Sequence, residues 1–283
     1  MIAQNDQNQY HIQLPRLVPQ FVFRWCPMTL AKADYIEGLA KGLAVLEAFD
    51  TERQRLNATL AAQRTGITRA AARRHLLTLA ELGYLETDGS HYWLSARVLR
   101  LAGSYMATSR LPRTLQPTLN RLAAQTQAAF SAVVRDGDEC VIVARSAGVA
   151  EPVRHLAYGL HLGARLPAHA TSTGRVLLAS LPKADFAAWL KGRELARITP
   201  QTEVVPAKFK ALVDQVRQDD HCLARDGHEL GIHALAVPLR NMQGQTLAAL
   251  NVVGTADQLS DGAVQRKWLP LLLEAARELR PLL

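Results

Sequence analysis

Cysteine is scarce in this chain of 283 residues, which holds only Cys26, Cys140 and Cys222. The three lie far apart, with no CxxC pair and no His/Cys cluster at the spacing of metal ligands. The pattern argues against a disulfide framework and against a structural metal site. We therefore expect reduced, structural cysteines and a protein that needs neither metal nor cofactor.

Long apolar runs are also lacking. The run Phe21–Phe23 is too short, and too close to Arg24 and Pro27, to form a signal-peptide core or a membrane span. We expect a cytoplasmic protein with no membrane partner. Residues 1–27 are rich in Gln and Asn and then punctuated by Pro, which predicts a disordered tail over residues 1–33. The alternative is that translation starts at Met28.

Motifs of the common enzyme classes are missing too. Ser172 is not part of a GxSxG nucleophile elbow, and no histidine and acid stand in an obvious triad order. The chain has no Walker A loop and no GxGxxG loop. These absences indicate that the protein is not an enzyme.

Basic charge is abundant and unevenly placed. The formal net charge is +8, and six arginines with no Asp or Glu lie between Arg53 and His75. Such a local concentration favours a polyanionic partner, although a solvated arginine surface is the alternative. The length predicts two domains, each large enough to bury its own core.

The arginine-rich region has the pattern of three helices. Apolar residues at spacings of three and four predict an amphipathic helix over 35–49. Asn57 is a candidate cap for a second helix, and Thr68 for a third helix that ends near Leu82 at Gly83. The tight turn Thr65–Ile67 separates these two helices. The apolar stripe of the first helix is Ile36, Leu39, Leu43, Leu46 and Phe49, and the core side of the third is Leu76, Leu77, Leu79 and Leu82.

A hairpin follows the third helix. Tyr84–Thr87 and His91–Leu94 are β-prone and flank the turn residues Asp88–Ser90. Alternation favours core packing for at least one of Tyr92 and Trp93. The order is typical of a winged helix-turn-helix over residues 34–95, with residues 96–111 as a linker helix.

In a helix-turn-helix the second helix of the pair enters the major groove of DNA. Here that helix starts with Arg69 and Arg73 on one face and small alanines between them. Arginine forks suit both guanine edges and phosphates. We predict double-stranded operator DNA as the partner, contacted by Arg53, Arg55, Asn57, Thr68, Arg69, Ala70, Arg73, Arg74 and His91.

Beyond Pro112 strands and helices alternate, which predicts an α+β domain over residues 112–283. An antiparallel sheet flanked by helices, as in GAF/PAS-like sensor domains, fits this pattern. Strands are expected near 129–135, 140–145, 152–158, 220–224, 232–240 and 246–253, and helices near 113–127, 172–180, 183–191, 204–218 and 262–280.

Several segments resemble the IclR family of bacterial transcription regulators. Ile36–Leu43 and Arg64–Arg69 are similar to that family's first helix and turn, and Leu166–Ala179 to its most distinctive motif. Leu235–Leu239 and Ala248–Val252 are similar to its final strand pair. The resemblance covers about residues 34–281. It implies a winged helix followed by an effector-binding domain.

Within the family the likeness is greatest to the branch that regulates aromatic-acid catabolism. It is carried by Asp34–Ile36, Arg53–Asn57, Tyr158–Gly163 and His228–Gly231. This branch implies that the effector is 4-hydroxybenzoate and that the protein activates a 4-hydroxybenzoate hydroxylase gene, in contact with RNA polymerase. The alternatives are a repressor or activator that responds to protocatechuate, a β-ketoadipate-type acid or another small carboxylate.

The effector site is expected at the start of the helix near residue 172. Thr171, Ser172 and Thr173 place three hydroxyls where free amides and the helix dipole favour an anion. The alternative is that Thr171 and Ser172 only cap the helix. The resemblance implies a pocket lined by Ser172, Thr173, Ala234, Asn251 and Val253, with His155 and Tyr158 over it.

Other residues are candidates to complete that site. Arg154 is a candidate to strengthen the carboxylate clamp, and Asn251, His155 or His169 to meet a distal hydroxyl. The alternatives are a surface ion pair for Arg154, core packing for Tyr158 and a structural role for His169. Many family members carry a DxE pair where this chain has Arg225–Gly227.

We also expect a homodimer or a dimer of dimers, because one winged helix reads few base pairs.

Overall fold

The computed structural model describes residues 31, 33–50, 53–146 and 161–283. Within these ranges the chain forms two compact units, and the division lies between Ser104 and Tyr105, inside the predicted linker. Almost all of the predicted tail lies outside the described residues. The strand expected near 152–158 lies outside them as well.

The first unit has the predicted order of elements. Its N-caps are those expected, because the Asn57 side chain accepts hydrogen bonds from the amides of Thr59 and Leu60, and Thr68 accepts one from Ala71. Gly66 ends the second helix at a φ of 69°, in the left-handed region that favours glycine. The elements are α1 (Glu37–Glu47), α2 (Ala58–Thr65), α3 (Arg69–Glu81), β1 (Leu85–Thr87) and β2 (Tyr92–Leu94).

The core of this unit differs from the expectation in which leucines it buries. On α3 the buried residues are Ala72, Leu76 and Leu79, whereas Leu77 and Leu82 are exposed. The expectation that Leu77 and Leu82 face the core is wrong. Each residue turns the helix by about 100°, so Leu77 cannot share the face of its neighbour Leu76.

Helix α1 also has apolar side chains that are exposed and do not join the core of this unit. It contributes Val45 to the core, followed by Ala48 and Phe49, while Leu39 and Leu43 remain 60% and 48% exposed. The helix therefore has two apolar stripes. Only one of them packs within the unit.

The predicted linker helix over 96–111 is two segments. A 3₁₀ turn over Ala96–Val98 leads into α4 (Leu99–Thr108), and α5 (Arg110–Thr126) begins two residues before Pro112. Proline is tolerated there, because the amides of a first helical turn have no partner within the helix. Pro112 therefore lies inside α5, whereas the sequence pattern predicted a helix that starts just after it.

The second unit is built on one antiparallel sheet in the strand order β5-β4-β3-β8-β7-β6. The expected α+β class is confirmed. Strand β5 has three residues and carries too little pattern to be recognised in the sequence. The strands are β3 (Ala129–Asp136), β4 (Glu139–Arg145), β5 (Arg165–Pro167), β6 (Cys222–Arg225), β7 (Ile232–Arg240) and β8 (Thr246–Thr255).

Helices cover both faces of the sheet. One core cluster packs α5 and α9 on the sheet through residues such as Leu119, Phe130 and Leu272. The other packs α6, α7 and α8 on the opposite face through Leu178, Phe186 and Phe209. The remaining helices are α6 (Ser172–Ala179), α7 (Lys183–Leu190), α8 (Pro206–Asp219) and α9 (Leu269–Leu279), and helical turns over Asp261–Ala263 and Val264–Trp268 precede α9.

Candidate functional site

Helix α3 presents its arginines on the side opposite its core. Ala72 and Leu76 are buried, while Arg69, Arg73 and Arg74 are exposed. None of these three arginines forms an ion pair within the described ranges. Their charges are therefore available to an external anion.

Two other arginines of the basic segment lie near aspartates that are outside the segment, and these aspartates partly neutralise their charge. Arg64 forms a short ion pair with Asp50, and an Arg55 nitrogen lies 3.6 Å from an Asp88 carboxylate oxygen. The sequence count of six positive charges therefore overstates the free charge. Helix α3 carries most of what remains.

The wing is held together by its turn and by one stacked cation. Asp88 accepts hydrogen bonds from the amides of His91 and Ser90, and these bonds lower its pKa to about 2. The Arg55 guanidinium lies 4.4 Å from the centre of the Trp93 ring, whose N–H donates to Glu86. Tyr92 is buried, as expected for one of the two aromatic residues. Arg55 therefore supports the wing.

The remaining residues predicted to contact DNA differ in the hydrogen bonds that they form within the protein. Asn57 and Thr68 have their oxygens engaged as helix caps. Arg53 is exposed, and its amide donates to Asp50. The His91 ring lies at the wing tip, 2.9 Å from the Ser90 hydroxyl. Ala70 is exposed beside Arg69.

A cavity opens between the start of α6 and the sheet. Its empty space, open mouth included, is about 630 Å³. Six predicted effector residues line it: Thr171, Ser172, Thr173, Ala234, Asn251 and Val253. Ala234 and Val253 are directly opposite each other on β7 and β8.

Two buried polar atoms at this cavity have no hydrogen-bond partner among the described residues. They are the Ser172 hydroxyl oxygen and the Asn251 side-chain carbonyl oxygen, in residues that are 1% and 8% exposed. An unpaired buried polar group costs about 1–3 kcal/mol. A ligand with matching polar groups would remove that cost.

The first turn of α6 offers amides to the same space. Thr171 caps the helix, because its hydroxyl accepts from the Gly174 amide and donates to the Pro167 carbonyl oxygen. These two bonds use the hydroxyl proton and one of the two lone pairs of Thr171. The amides of Ser172 and Thr173 remain for an anion.

Two glycines allow the chain to pass closely around this helix start. A Cβ at Gly174 would lie 2.1 Å from the Ala168 carbonyl oxygen, and one at Gly227 would lie 2.6 Å from that of Ala170. Both distances are far inside van der Waals contact. Gly227, in the segment where many family members carry an acid, therefore stands where a side chain does not fit.

His169 is placed elsewhere. Its ring nitrogen Nε2 donates to the Ala196 carbonyl oxygen at 2.8 Å, and its ring packs edge-on against Phe209. Burial lowers its pKa, so the ring is neutral. It is not among the described residues that line the cavity, so this geometry gives no support to the predicted effector contact, and the contacts that His169 makes are structural. Arg154, His155 and Tyr158 lie outside the described residues.

Other cavity residues were not anticipated from the sequence. Ser131, Ile142 and Leu166 come from β3, β4 and β5, while His228 and Glu229 come from the loop before β7. Burial lowers the pKa of His228. Their position depends on strand order and loop path, for which the sequence offers no local signal.

The described residues hold no group of three or more His, Cys, Asp or Glu side chains placed to bind a metal ion. In the same ranges, none of the helices combines the length and apolarity needed to cross a membrane.

A winged helix with exposed, unpaired arginines and an α+β domain whose cavity holds unpartnered polar atoms are the features of a ligand-responsive transcription regulator. Family models match both parts: the IclR helix-turn-helix domain over residues 38–89 and the bacterial transcriptional regulator IclR C-terminal domain over residues 103–280. The chain belongs to the IclR family. It is a DNA-binding transcription regulator and not an enzyme.

Two similar proteins come from Acinetobacter baylyi. The p-hydroxybenzoate hydroxylase transcriptional activator is 50% identical over 250 residues, which are 88% of this chain and 92% of the relative. The Pca operon regulatory protein is 46% identical over 250 residues, 88% of this chain and 90% of its own. The inducer-binding domain of an Acinetobacter PobR double mutant, in complex with 3-hydroxybenzoic acid, matches with 44% identity and a TM-score of 0.56. This match covers 61% of this chain and 98% of that one.

Proposed function

We propose that this regulator senses 4-hydroxybenzoate and activates a gene for 4-hydroxybenzoate hydroxylation. The observation that carries the proposal is the pair of unpartnered polar atoms, on Ser172 and Asn251, in one cavity. The 50% identical activator of p-hydroxybenzoate hydroxylase supports the choice of gene.

The two atoms match the two polar ends of the ligand. The carboxylate lies at the start of α6, where the Ser172 hydroxyl and the amides of Ser172 and Thr173 donate to it. The phenolic O–H donates to the Asn251 carbonyl oxygen, and the ring packs against Ile142 and Val253. The predicted clamp by Arg154, with His155 and Tyr158 over the ring, is part of the same proposal. Burying a carboxylate without such donors would cost on the order of several kcal/mol.

A second candidate effector is protocatechuate or a β-ketoadipate-type acid. It is favoured by the 46% identity to the Pca operon regulatory protein. Protocatechuate carries one more hydroxyl, and that group needs a further partner. His228 and Glu229 line the cavity and would provide one.

On the DNA side, Arg69 and Arg73 contact base edges, while Arg74, Arg53 and His91 contact phosphates. Arg55, Asn57, Thr68 and Ala70 position the helix and wing against the duplex. A protein that binds operator DNA in a bacterium acts in the cytoplasm. Residues 34–95 act as the DNA-binding domain, 96–111 as the linker and 112–283 as the effector domain, after a tail over 1–33.

The functional unit is a homodimer or a dimer of dimers on a repeated operator. Leu39 and Leu43 on α1, and Leu99 and Leu101 on α4, are 48–67% exposed. A second copy that packs on these leucines would bury them. Activation also requires contact with RNA polymerase.

Calorimetry on the full chain tests the effector. 4-Hydroxybenzoate should bind with one site per chain, and 4-hydroxybenzamide, which keeps the ring and hydroxyl but lacks the charge, should bind at least about tenfold more weakly. A Ser172→Leu variant that keeps its circular dichroism spectrum should bind neither. Tighter binding of protocatechuate would favour the second candidate. Equal affinity for acid and amide would overturn the proposed site.

A further inference from the structure

A second cavity lies at the β6 edge of the sheet. Its empty space, open mouth included, is about 1030 Å³. Helix α8, strand β6 and the helical turns that lead into α9 surround it. Much of its wall is apolar: Leu212, Val216, Leu223, Val264 and Leu269.

One cation in this cavity has no counter-charge. Arg175 is only 8% exposed, and it forms no ion pair within the described residues. Its Nε donates to the His169 carbonyl oxygen at 3.0 Å, and its guanidinium contacts the Cys222 thiol. A buried guanidinium without a carboxylate is costly, since its desolvation is not offset by charge pairing.

The other charged side chains of the wall each have a hydrogen-bond or ion-pair partner. Arg225 forms a short ion pair with Asp261, and the Gln215 amide donates to both oxygens of Asp219. Arg175 is therefore the cation of this wall that has no carboxylate partner among the described residues, while the Asp219 carboxylate is held by a neutral amide. Asp219 and Asp261 would repel a multiply charged anion, so the wall favours a ligand with a single negative charge.

We infer that this cavity binds a small aliphatic monocarboxylate, with its carboxylate on the Arg175 guanidinium and its alkyl chain against the aliphatic side chains of Leu212, Leu223 and Val264. A carboxylate accepts two parallel hydrogen bonds from an arginine fork, which makes the pair directional as well as strong. The apolar wall would remain unused by a bare inorganic anion.

The position of Arg175 links the two cavities. It lies one helical turn after Ser172 on α6, and a Cβ at Gly227, which lines the first cavity, would be 3.5 Å from its Nη2. An anion bound to Arg175 would therefore lie close to the segment around Gly227, which also lines the first cavity. Any change that one ligand makes in the affinity for the other must be reciprocal.

Hexanoate is a suitable probe for calorimetry on the full chain, with 1-hexanol as its uncharged control. Leu212→Glu places a carboxylate at the exposed mouth of the cavity. Ala211→Glu is the matched variant, because Ala211 is also exposed on α8 but does not line the cavity. Hexanoate should bind the wild type and Ala211→Glu equally and Leu212→Glu about tenfold or more weakly. Hexanol should not bind.

Ser172→Leu separates this cavity from the first one. Hexanoate should bind this variant as it binds the wild type, since Ser172 lines only the first cavity. The inference is overturned if hexanoate does not bind the wild type, or if both glutamate variants bind it alike. It is also overturned if Ser172→Leu abolishes binding, because the probe then occupies the first cavity.

Discussion

Ser172, the first residue of α6, and Asn251, in the middle of β8, each direct a buried and unpartnered oxygen to the same cavity. One is a hydroxyl that can donate, and the other is an amide carbonyl that accepts. Because they come from elements about 80 residues apart in the chain, only the folded domain brings them together. The pair fits a molecule with an acid at one end and a hydroxyl at the other.

Asn251→Leu should lower the affinity for 4-hydroxybenzoate without lowering the free energy of unfolding. The substitution removes an unsatisfied buried acceptor, so the free energy of unfolding should stay level or rise by about 1 kcal/mol. The affinity for 4-hydroxybenzoate should fall about tenfold or more, because the phenol loses its acceptor. Denaturant unfolding and calorimetry measure the two effects.

Asn241 is the matched control for that experiment. It is equally buried, but its side-chain oxygen accepts from the amides of Gln243 and Gln245. Asn241→Leu should therefore destabilise the domain and leave the affinity of the folded protein unchanged. If both variants lose stability alike, the Asn251 oxygen has a partner in the free protein and the assignment is wrong.

Arg69→Ala and Arg73→Ala should each weaken operator binding by about 1–3 kcal/mol where the arginine reads a base. Fluorescence anisotropy on a genomic fragment selected by the protein, and on a scrambled copy, gives the specific and non-specific parts. A pure phosphate contact would weaken both duplexes and flatten the salt dependence. Arg277→Ala, on the exposed side of α9, should change neither. Unchanged binding by both α3 variants would mean that α3 does not contact the duplex.

His169 should make the effector domain less stable in mild acid. Burial lowers its pKa in the folded state, so the unfolded chain, with a pKa near 6.5, takes up the proton first. The stability is fully present above that value and is lost as pH falls below it, towards the folded pKa.

Thermal unfolding at pH 7.5 and 5.5 measures this dependence. His169→Gln keeps a donor for the Ala196 carbonyl oxygen and should reduce the loss between the two pH values. The half-buried His228 contributes in the same direction, so some loss remains. His161→Gln, at an exposed residue, serves as the control. An identical pH dependence in all three proteins would contradict the role given to His169.

The elements with local signals were predictable. Asn57 and Thr68 cap their helices as expected, since a cap needs only its own first turn. The Asp88–Ser90 turn likewise produces the hairpin. The exposure of Leu39 and Leu43 was not predictable, because an apolar stripe does not reveal whether its partner is the same chain or another.

The candidate site was predictable only in part. The hydroxyls at the start of α6 are visible in the sequence, and the family resemblance adds Asn251 and Val253. Ser131 and His228 could not be found, because β3 lies beside β8 and the loop before β7 turns back over the cavity only in the fold. Gly227 is explained only by its closeness to the Ala170 carbonyl oxygen.

In the proposed function, one chain couples a DNA site on α3 to a carboxylate site at α6. The most direct measurement is transcription from a promoter that the purified protein selects from genomic DNA, in a reporter strain with and without 4-hydroxybenzoate. The wild type should activate only with the acid present, Arg69→Ala should not activate at all, and Ser172→Leu should bind the promoter without responding to the acid. A promoter that responds equally with the wild type and Ser172→Leu, or not at all, would contradict the account.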